Sequence, residues 1–412
     1  MIQNNFVMDK LCLLTQTLQS QMTAPAGDVG PIKMVLCGYK TSNTPPAEGW
    51  QPFGAHDHVQ GADAHAWFRM AFRTPPAAPH QTVWLHVETS QKDQWDAHNP
   101  QGLVYLNGVM TQGLDINRHD VLLTPDTEYT VHVYFYTGSY DFPVEFHPSL
   151  IARDTRIESL YYDFLVPYEA CQCVAPDSEA FARMTPVLEQ AANRIRMQRP
   201  LSDEYFASLA EASEYLKTEF YGKLCGNSTA VVDCIGHTHI DVAWLWTLEQ
   251  TREKTQRSFG NMLRLMEQYP EFKFMSSQPQ LYQYLKQEAP ELYEQVKQRA
   301  AEGRWEVEGA MWLEADCNLI SGESMVRQIL HGKKFMKDEF GVDSHILWLP
   351  DVFGYSAAMP QILKKCGVDH FVTSKISWNE TNRMPVDTFM WQGIDGTEIR
   401  TDFLTEQAHD DP

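Results

Sequence analysis

The sequence predicts a multidomain chain in which an antiparallel β-sandwich is followed by helices and then by an incomplete α/β domain. Three observations carry that prediction. The apolar period is two between about Ala66 and His147, becomes helical between Phe181 and Phe220, and gives way to alternating strands and helices from Ala230 onward. At 412 residues the chain is too long for one ordinary core. The divisions expected are a leading helix and loop over 1–29, the sandwich over 30–155, a helical linker over 156–229, and the start of the α/β domain over 230–412.

Residues 1–22 read as a helix with Leu11, Leu14 and Leu18 along one side, and the Pro- and Gly-rich stretch Ala24–Asp63 as irregular chain around a strand at Ile32–Cys37. Ala66–Arg73, Thr82–Glu88, Leu103–Leu106 and Tyr129–Tyr136 are short aromatic and β-branched runs, and Asn107-Gly108 is a hairpin pair. In the last run Tyr129, Val131, Val133 and Phe135 share one face. Strands this closely spaced predict a sandwich or jelly roll. Trp95, His98 and Asn99 fall in a polar loop there, either touching sugar or serving as plain loop residues.

Phe181, Met184, Leu188, Ala191 and Ile195 recur at helical spacing; Pro200 interrupts, and Tyr205–Phe220 resumes. Strands are then expected at Ala230–Ile235, Phe272–Ser276, Trp305–Glu308, Ile346–Leu349 and His370–Thr373. Helices are expected at Leu245–Gln268, Leu281–Ala301, Glu323–Phe340 and Ala358–Cys366, with Gly341 and Gly367 placed as C-terminal stops. Thr388–Gln392 and Glu398–Phe403 follow. Five βα units are too few to close a barrel of seven or eight, so the domain reads as cut in mid-course.

Composition narrows the partners. Acidic residues outnumber basic ones 54 to 33 for a net charge of −21, which repels phosphate backbones, and no Lys/Arg-rich run is present. The expectation is no nucleic acid. No stretch reaches the roughly 18 apolar residues of a membrane span, and the N-terminus lacks a secretory pattern. The eight scattered cysteines read as reduced thiols of a cytoplasmic protein, with Cys171 and Cys173 too few for a structural zinc site. Self-association is left open.

In parallel α/β sheets the functional residues collect at the C-terminal strand ends. Here each such end carries chemistry: His237, His239, Asp241 and Trp244; then Ser277 and Gln278; then Trp312, Glu314 and Asp316; then Asp351; then Lys375, Ser377, Trp378 and Asn379. His239 and Asp241, two apart in extended chain, project to one side and can share a divalent cation, Zn²⁺ by the mixed N/O donors, with Co²⁺ or Mn²⁺ tolerable. The competing reading has Asp241 capping the next helix, and His237-Thr238-His239 also suits a metal-dependent amidohydrolase. Asp351, after Pro350, is nucleophile, metal ligand or both, or else a helix cap. Trp244 and Trp246 offer a sugar platform or buried packing. Glu314 and Asp316 read equally as loop salt bridges.

Four segments, GHTHIDVAWLW, GRWEVEGAMWLEADCNLISGESMVRQ, LWLPDVFGYSAAMPQI and SKISWNETNRMPVDTFMWQGIDGTEI, resemble glycoside hydrolase family 38, the retaining α-mannosidases, most closely the branch of cytosolic enzymes and their bacterial relatives. The resemblance implies a (β/α)7-barrel-like catalytic domain, incomplete in this chain, and an α-mannoside oligosaccharide as substrate. It implies zinc on His239, Asp241 and the nucleophile Asp351, Trp244 lining the sugar site, and a weaker transfer to Lys375. Trp312 and Glu314 join the expected substrate-binding set. The fourth ligand and the general acid are expected beyond Pro412, so the chain reads as an N-terminal fragment, inactive when isolated. A non-catalytic carbohydrate-binding piece is the remaining alternative.

Overall fold

The structure is a computed structural model; it describes residues 2–39, 43–91, 95–226, 229, 231–379, 381–382 and 384–404, apart from the side chains of 2–5 and of Ser377. Helix α1 (Ile2–Met22) leads into β1 (Thr23–Gly27), β2 (Ile32–Cys37), β3 (Gln51–Phe53), β4 (His65–Arg73) and β5 (Gln81–Thr89). The strands β6 (Gln101–Leu106), β7 (Val109–Leu114), β8 (Asp120–Leu123), β9 (Glu128–Tyr136) and β10 (Phe146–Asp154) follow. They form two antiparallel sheets, ordered β1-β10-β5-β8 and β3-β2-β4-β9-β6-β7. Asn107 and Gly108, both at positive φ, turn β6 into β7.

Alternation on the six-stranded sheet decides the packing. Phe68, Val104, Val131, Val133 and Phe135 face the other sheet, where they meet Leu85, Val87, Val121 and Leu150. The intervening residues Trp67, Leu103, Tyr105 and Tyr134 face the opposite way and pack with Phe259, Tyr282 and Trp305 of the α/β part. The central strands β4, β9 and β6 are therefore covered on both faces, and the β-rich half is tied to the α/β half through a common core.

Helices α2 (Thr155–Gln172), α3 (Glu179–Ala192) and α4 (Asp203–Tyr215) are capped by Asp154, Ser178 and Ser202 in turn. They bury Ile157, Phe164, Leu188 and Leu209 against Leu11, Leu14 and Leu18, which identifies the partner of α1.

The α/β part runs β11 (Gly236–His237), α5 (Leu248–Gln268), β12 (Phe274–Ser276), α6 (Pro279–Glu288), α7 (Pro290–Ala301), β13 (Trp305–Val307) and α8 (Gly322–Phe340). It continues with β14 (Ile346–Leu349), α9 (Met359–Lys365), β15 (His370–Thr373), β16 (Thr388–Gln392) and β17 (Glu398–Phe403). β11-β12-β13 is a parallel sheet, and β14-β15-β17-β16 is parallel but for the β16–β17 hairpin. One parallel bridge, Gly309 to Leu347, joins the two. Among the described residues no closed barrel forms.

Three expectations need correction. The strand expected at Ala230–Ile235 is absent over 231–235, and Ala230 lies outside the described residues. Val231 and Val232 are 85% and 80% exposed, and a β-branched run without a hydrogen-bonding neighbour does not become a strand. Only Gly236–His237 pairs, at the edge beside β12. The single helix expected over Leu281–Ala301 is two helices, because Pro290 pushes Ala289 out of helical geometry (φ −142°). The helix expected from Leu245 starts at Leu248, where Thr247 and Gln250 form a reciprocal capping box.

Helix α8 braces the loop after β13. A Cβ at Gly332 would meet the Ala310 carbonyl oxygen, with the Met311 carbonyl carbon at 2.6 Å and the Trp312 nitrogen at 2.8 Å. Gly332→Ala is expected to cost about 1–3 kcal/mol, since backbone cannot yield as a side chain does, and the loss would appear as a lower denaturant midpoint. An unchanged midpoint would mean that the helix shifts freely.

Candidate active site

β11 ends at His237, and the chain crosses the mouth of the sheet as Thr238–Asp241. Ile240 is fully buried in the core, so its neighbours His239 and Asp241 project the other way, into a cleft of about 140 Å³. Glu314, Asp316, Asp351, Val352 and Phe353 complete the lining. Three strand ends thus meet at one place.

His239 is the hub. Its Nε2 lies 3.1 Å from Asp241 Oδ1 and 3.4 Å from Asp351 Oδ2, and its Nδ1 lies 3.0 Å from Glu314 Oε2. One atom each from His239, Asp241 and Asp351 fit within 4.8 Å of one another, the only such group of three among the described residues. His239 Nδ1 and Glu314 Oε2 are buried, and neither has another hydrogen-bond partner among the described residues. Burial opposes the imidazolium, but Asp241 and Glu314 outweigh it and raise the pKa to about 10. Negative charge is in excess here: four carboxylates face one imidazole and the Lys375 ammonium. The donors fit a divalent cation in number, type and spacing.

The supports come from neighbouring strand ends. Gln278, buried and at φ 63°, donates from Nε2 to the Ile240 carbonyl (3.0 Å) and accepts the Glu314 amide at 3.3 Å. It thereby couples the His239 loop to the Glu314 loop. Ser277 Oγ donates to Glu314 Oε1 at 3.0 Å. Ser374 Oγ donates to the Pro350 carbonyl, 2.5 Å away, fixing the turn into Asp351. Lys375 Nζ lies 2.9 Å from Asp351 Oδ1 and 3.1 Å from the Trp378 ring centre. With Oδ1 engaged, Oδ2 is the oxygen nearer His239.

The two capping alternatives do not hold: Thr247 caps the helix after Asp241, and Ala358 stands at the cap of α9. His237 leaves the cluster too. Its Nε2 accepts from Trp348 Nε1 at 3.1 Å, and burial, then the charge of His239, lower its pKa to about 4. Trp348 was missed from the sequence; period-two alternation between buried Leu347 and Leu349 is the signal that turns it inward.

Among the other expected residues, Asp316 accepts the Asn318 and Leu319 amides at 2.8 and 3.0 Å and shapes its own loop. Trp312 stands away from the cleft lining; it donates to Gln280 Oε1 at 3.1 Å and packs edge-on against Phe335. Trp246 donates to the Asp241 carbonyl (3.3 Å) and to Thr251 Oγ1 (3.0 Å), so it anchors the His239–Asp241 loop. Trp244 stays 53% exposed, its ring 5.6 Å from that of Trp246 and 5.7 Å from that of Trp95. Ser377 carries a side chain outside the described residues. All eight cysteines are unpaired, and Cys171 is buried while Cys173 is exposed.

The chain has recognisable relatives. Residues 229–412 match the profile described as "Glycosyl hydrolases family 38 N-terminal domain". The chain is 34% identical over 349 residues to "Alpha-mannosidase G" of Dictyostelium discoideum, an alignment covering 78% of this chain and 32% of that protein. It is 30% identical over 379 residues to "Alpha-mannosidase" of Saccharomyces cerevisiae, covering 81% of this chain and 34% of the other. The chain thus spans about a third of the length of these curated relatives. Among solved structures it is similar to an alpha-mannosidase from Enterococcus faecalis, at 25% identity and a TM-score of 0.36, over 41% of this chain and 19% of that one.

Proposed function

We propose, from the premise that this chain belongs to glycosyl hydrolase family 38 through residues 229–412, that it carries the nucleophile and most of the metal site of a retaining α-mannosidase. The observation that supports it most is the convergence of His239, Asp241 and Asp351 at three atoms within 4.8 Å. Bound there, Zn²⁺ (or Co²⁺ at similar geometry) would orient two vicinal sugar hydroxyls and stabilise the charge that develops on them. His239 offers Nε2 towards the shared point, and Asp241 stands beside it. Asp351 attacks the anomeric carbon through a carboxylate oxygen, while Lys375 holds the other oxygen. A second carboxyl group, about 5 Å away, protonates the leaving oxygen; water then frees mannose with retention. The strand sets are read as an arc of a (β/α)7-barrel, and the free thiols support a cytoplasmic setting.

The test is hydrolysis of an aryl α-mannoside followed by NMR of the released anomer, with matched Zn²⁺ titration. Inverted product, or an aryl amide cleaved in place of the mannoside, would overturn the reading. The amidohydrolase alternative needs metal across both histidines, and His237 is engaged by Trp348 instead.

Glu314, first read as touching substrate, is better assigned to holding His239. A carboxylate on the far nitrogen fixes the ring and its tautomer, leaving Nε2 for the cation. Glu314→Gln is expected to weaken Zn²⁺ affinity about 10- to 100-fold in a competition titration. Unchanged affinity would return Glu314 to a substrate role.

A further inference from the structure

Strand β12 lies between β11 and β13, so the chain leaving its end emerges between the His239 loop and the Glu314 loop. Gln278, two residues on, is 3% exposed and takes φ 63° and ψ 83°, a left-handed conformation that residues with a Cβ rarely adopt. Its surroundings hold it there. The Ser276 carbonyl accepts the Tyr282 hydroxyl at 2.8 Å, and that hydroxyl accepts Trp305 Nε1 at 2.9 Å. The Gln278 carbonyl accepts the Leu281 amide at 2.9 Å, and the Gln280 amide donates to the Trp312 carbonyl at 3.3 Å. Backbone strain survives only where the surroundings over-determine it, and such points cluster at functional sites.

The strained backbone delivers one primary amide between two loops. Its Nε2 donates to the carbonyl of Ile240, the residue between His239 and Asp241, and its Oε1 accepts the Glu314 amide. The Asp241 carbonyl in turn accepts from Trp246 Nε1 at 3.3 Å and Thr251 Oγ1 at 3.2 Å. The peptide groups on both sides of Asp241 are thus held, and the buried Ile240 side chain fixes the same segment from the core. On the other loop the Leu313 amide donates to Gln328 Oε1 at 2.9 Å, so two successive amides are engaged there as well. Donating on one side and accepting on the other suits an amide; a carboxylate cannot donate, and a thioether does neither well.

We propose that Gln278 is a positioning residue of the metal site: by tying the Ile240 carbonyl to the Glu314 amide, it sets the spacing between the loop that carries His239 and Asp241 and the loop whose carboxylate holds His239 Nδ1. Gln278 lies outside the cleft lining, so it acts through these residues and not on metal or sugar. Small displacements matter, because donor distances to a divalent ion are held to within about 0.2 Å. This rests on the metal-site reading of the cleft, and the two can fail separately.

The experiment is competition titration of Zn²⁺ on the full chain, with the visible spectrum of the Co²⁺-loaded chain as the measure of ligand geometry. Gln278→Met keeps length and neutrality but loses both hydrogen bonds; it is expected to weaken Zn²⁺ about tenfold or more and to change the Co²⁺ bands. Gln278→Asn, one methylene short and tolerant of positive φ, cannot span the two groups and is expected to do the same, which keeps the test open if the first variant does not fold. Tyr282→Phe removes a hydroxyl that braces the same strand end without a hydrogen bond to either loop. It is expected to lower the denaturant midpoint and leave Zn²⁺ affinity within about twofold. Wild-type affinity and Co²⁺ bands in the Gln278 variants, or an equal loss of affinity in Tyr282→Phe, would reduce Gln278 to general support and overturn the proposal. If the wild-type chain takes up no Zn²⁺, the metal-site reading fails first and the proposal with it.

Discussion

Asp351→Asn is expected to reduce turnover of an aryl α-mannoside by at least about 10³-fold without unfolding the protein. The substitution keeps shape and volume, and the residue lies in a loop with its side chain about a third exposed (34%), so no packed core is disturbed. What disappears is the oxygen proposed as nucleophile, and no neighbour replaces it. His239 points Nδ1 at Glu314, and Asp241 lies on the other side of His239 Nε2. Asp351→Asn also removes one of the three proposed metal donors, so Zn²⁺ affinity is expected to fall with activity, whereas Glu314→Gln is expected to lower affinity first and activity only through it. Measuring both quantities on both variants separates attack from metal holding. Wild-type turnover in Asp351→Asn would rule out the assigned nucleophile.

Asp96→Ala carries the largest expected loss of stability, about 3–5 kcal/mol by denaturant unfolding. Arg257 is almost completely buried, its side chain 3% exposed, and Asp96 is the carboxylate shared by Arg257 and Lys254. Gln101 Oε1 accepts one more Arg257 hydrogen bond at 2.6 Å, and Asp115 lies 3.6 Å from Nε. Removing Asp96 leaves two cations in one dry pocket with mostly neutral company. The dependence on pH has a definite sign. Burial alone would raise the Asp96 pKa, but Arg257 and then Lys254 outweigh it and hold the group below its ordinary 3.8. A depressed carboxylate contributes stability above the unfolded value and loses it as pH falls through the folded one. The gap between wild type and Asp96→Ala should therefore be full near neutrality and shrink below about pH 4. A gap that is constant down to acid unfolding would mean that the pair contributes through packing alone.

Local signals explain most of the agreement between sequence and structure. Ile32–Cys37, Ile346–Leu349 and His370–Thr373 appear as strands at the bounds expected, because β-branched runs between turn residues have one low-energy solution. Gly341 and Gly367 end their helices at φ 74°, where any other residue would be strained. The errors arise where a neighbour is decisive. Val231 and Val232 have strand propensity but no edge to pair with, and the helix expected to run unbroken to Ala301 yields to one proline.

The same division runs through the cleft. Spacing alone placed His239 and Asp241 on one side of the chain, since alternate residues of an extended segment share a face whatever surrounds them. Sequence also put Asp351 and Glu314 just beyond strand ends, as the structure has them. What no local pattern contained was the choice between His237 and His239. Trp348, 111 positions away, takes His237, and Glu314 takes His239 Nδ1; both selections are made by side chains that meet only after the strands align. The meeting of Trp95 with Trp244 is of the same kind, set by Lys254, which reaches both Asp96 and the Trp246 ring. The sequence by itself determined which residues carry chemistry and on which side of their own strand ends they stand. Tertiary structure decided which of them touch across strand ends, because those contact distances depend on the packing of segments distant in sequence.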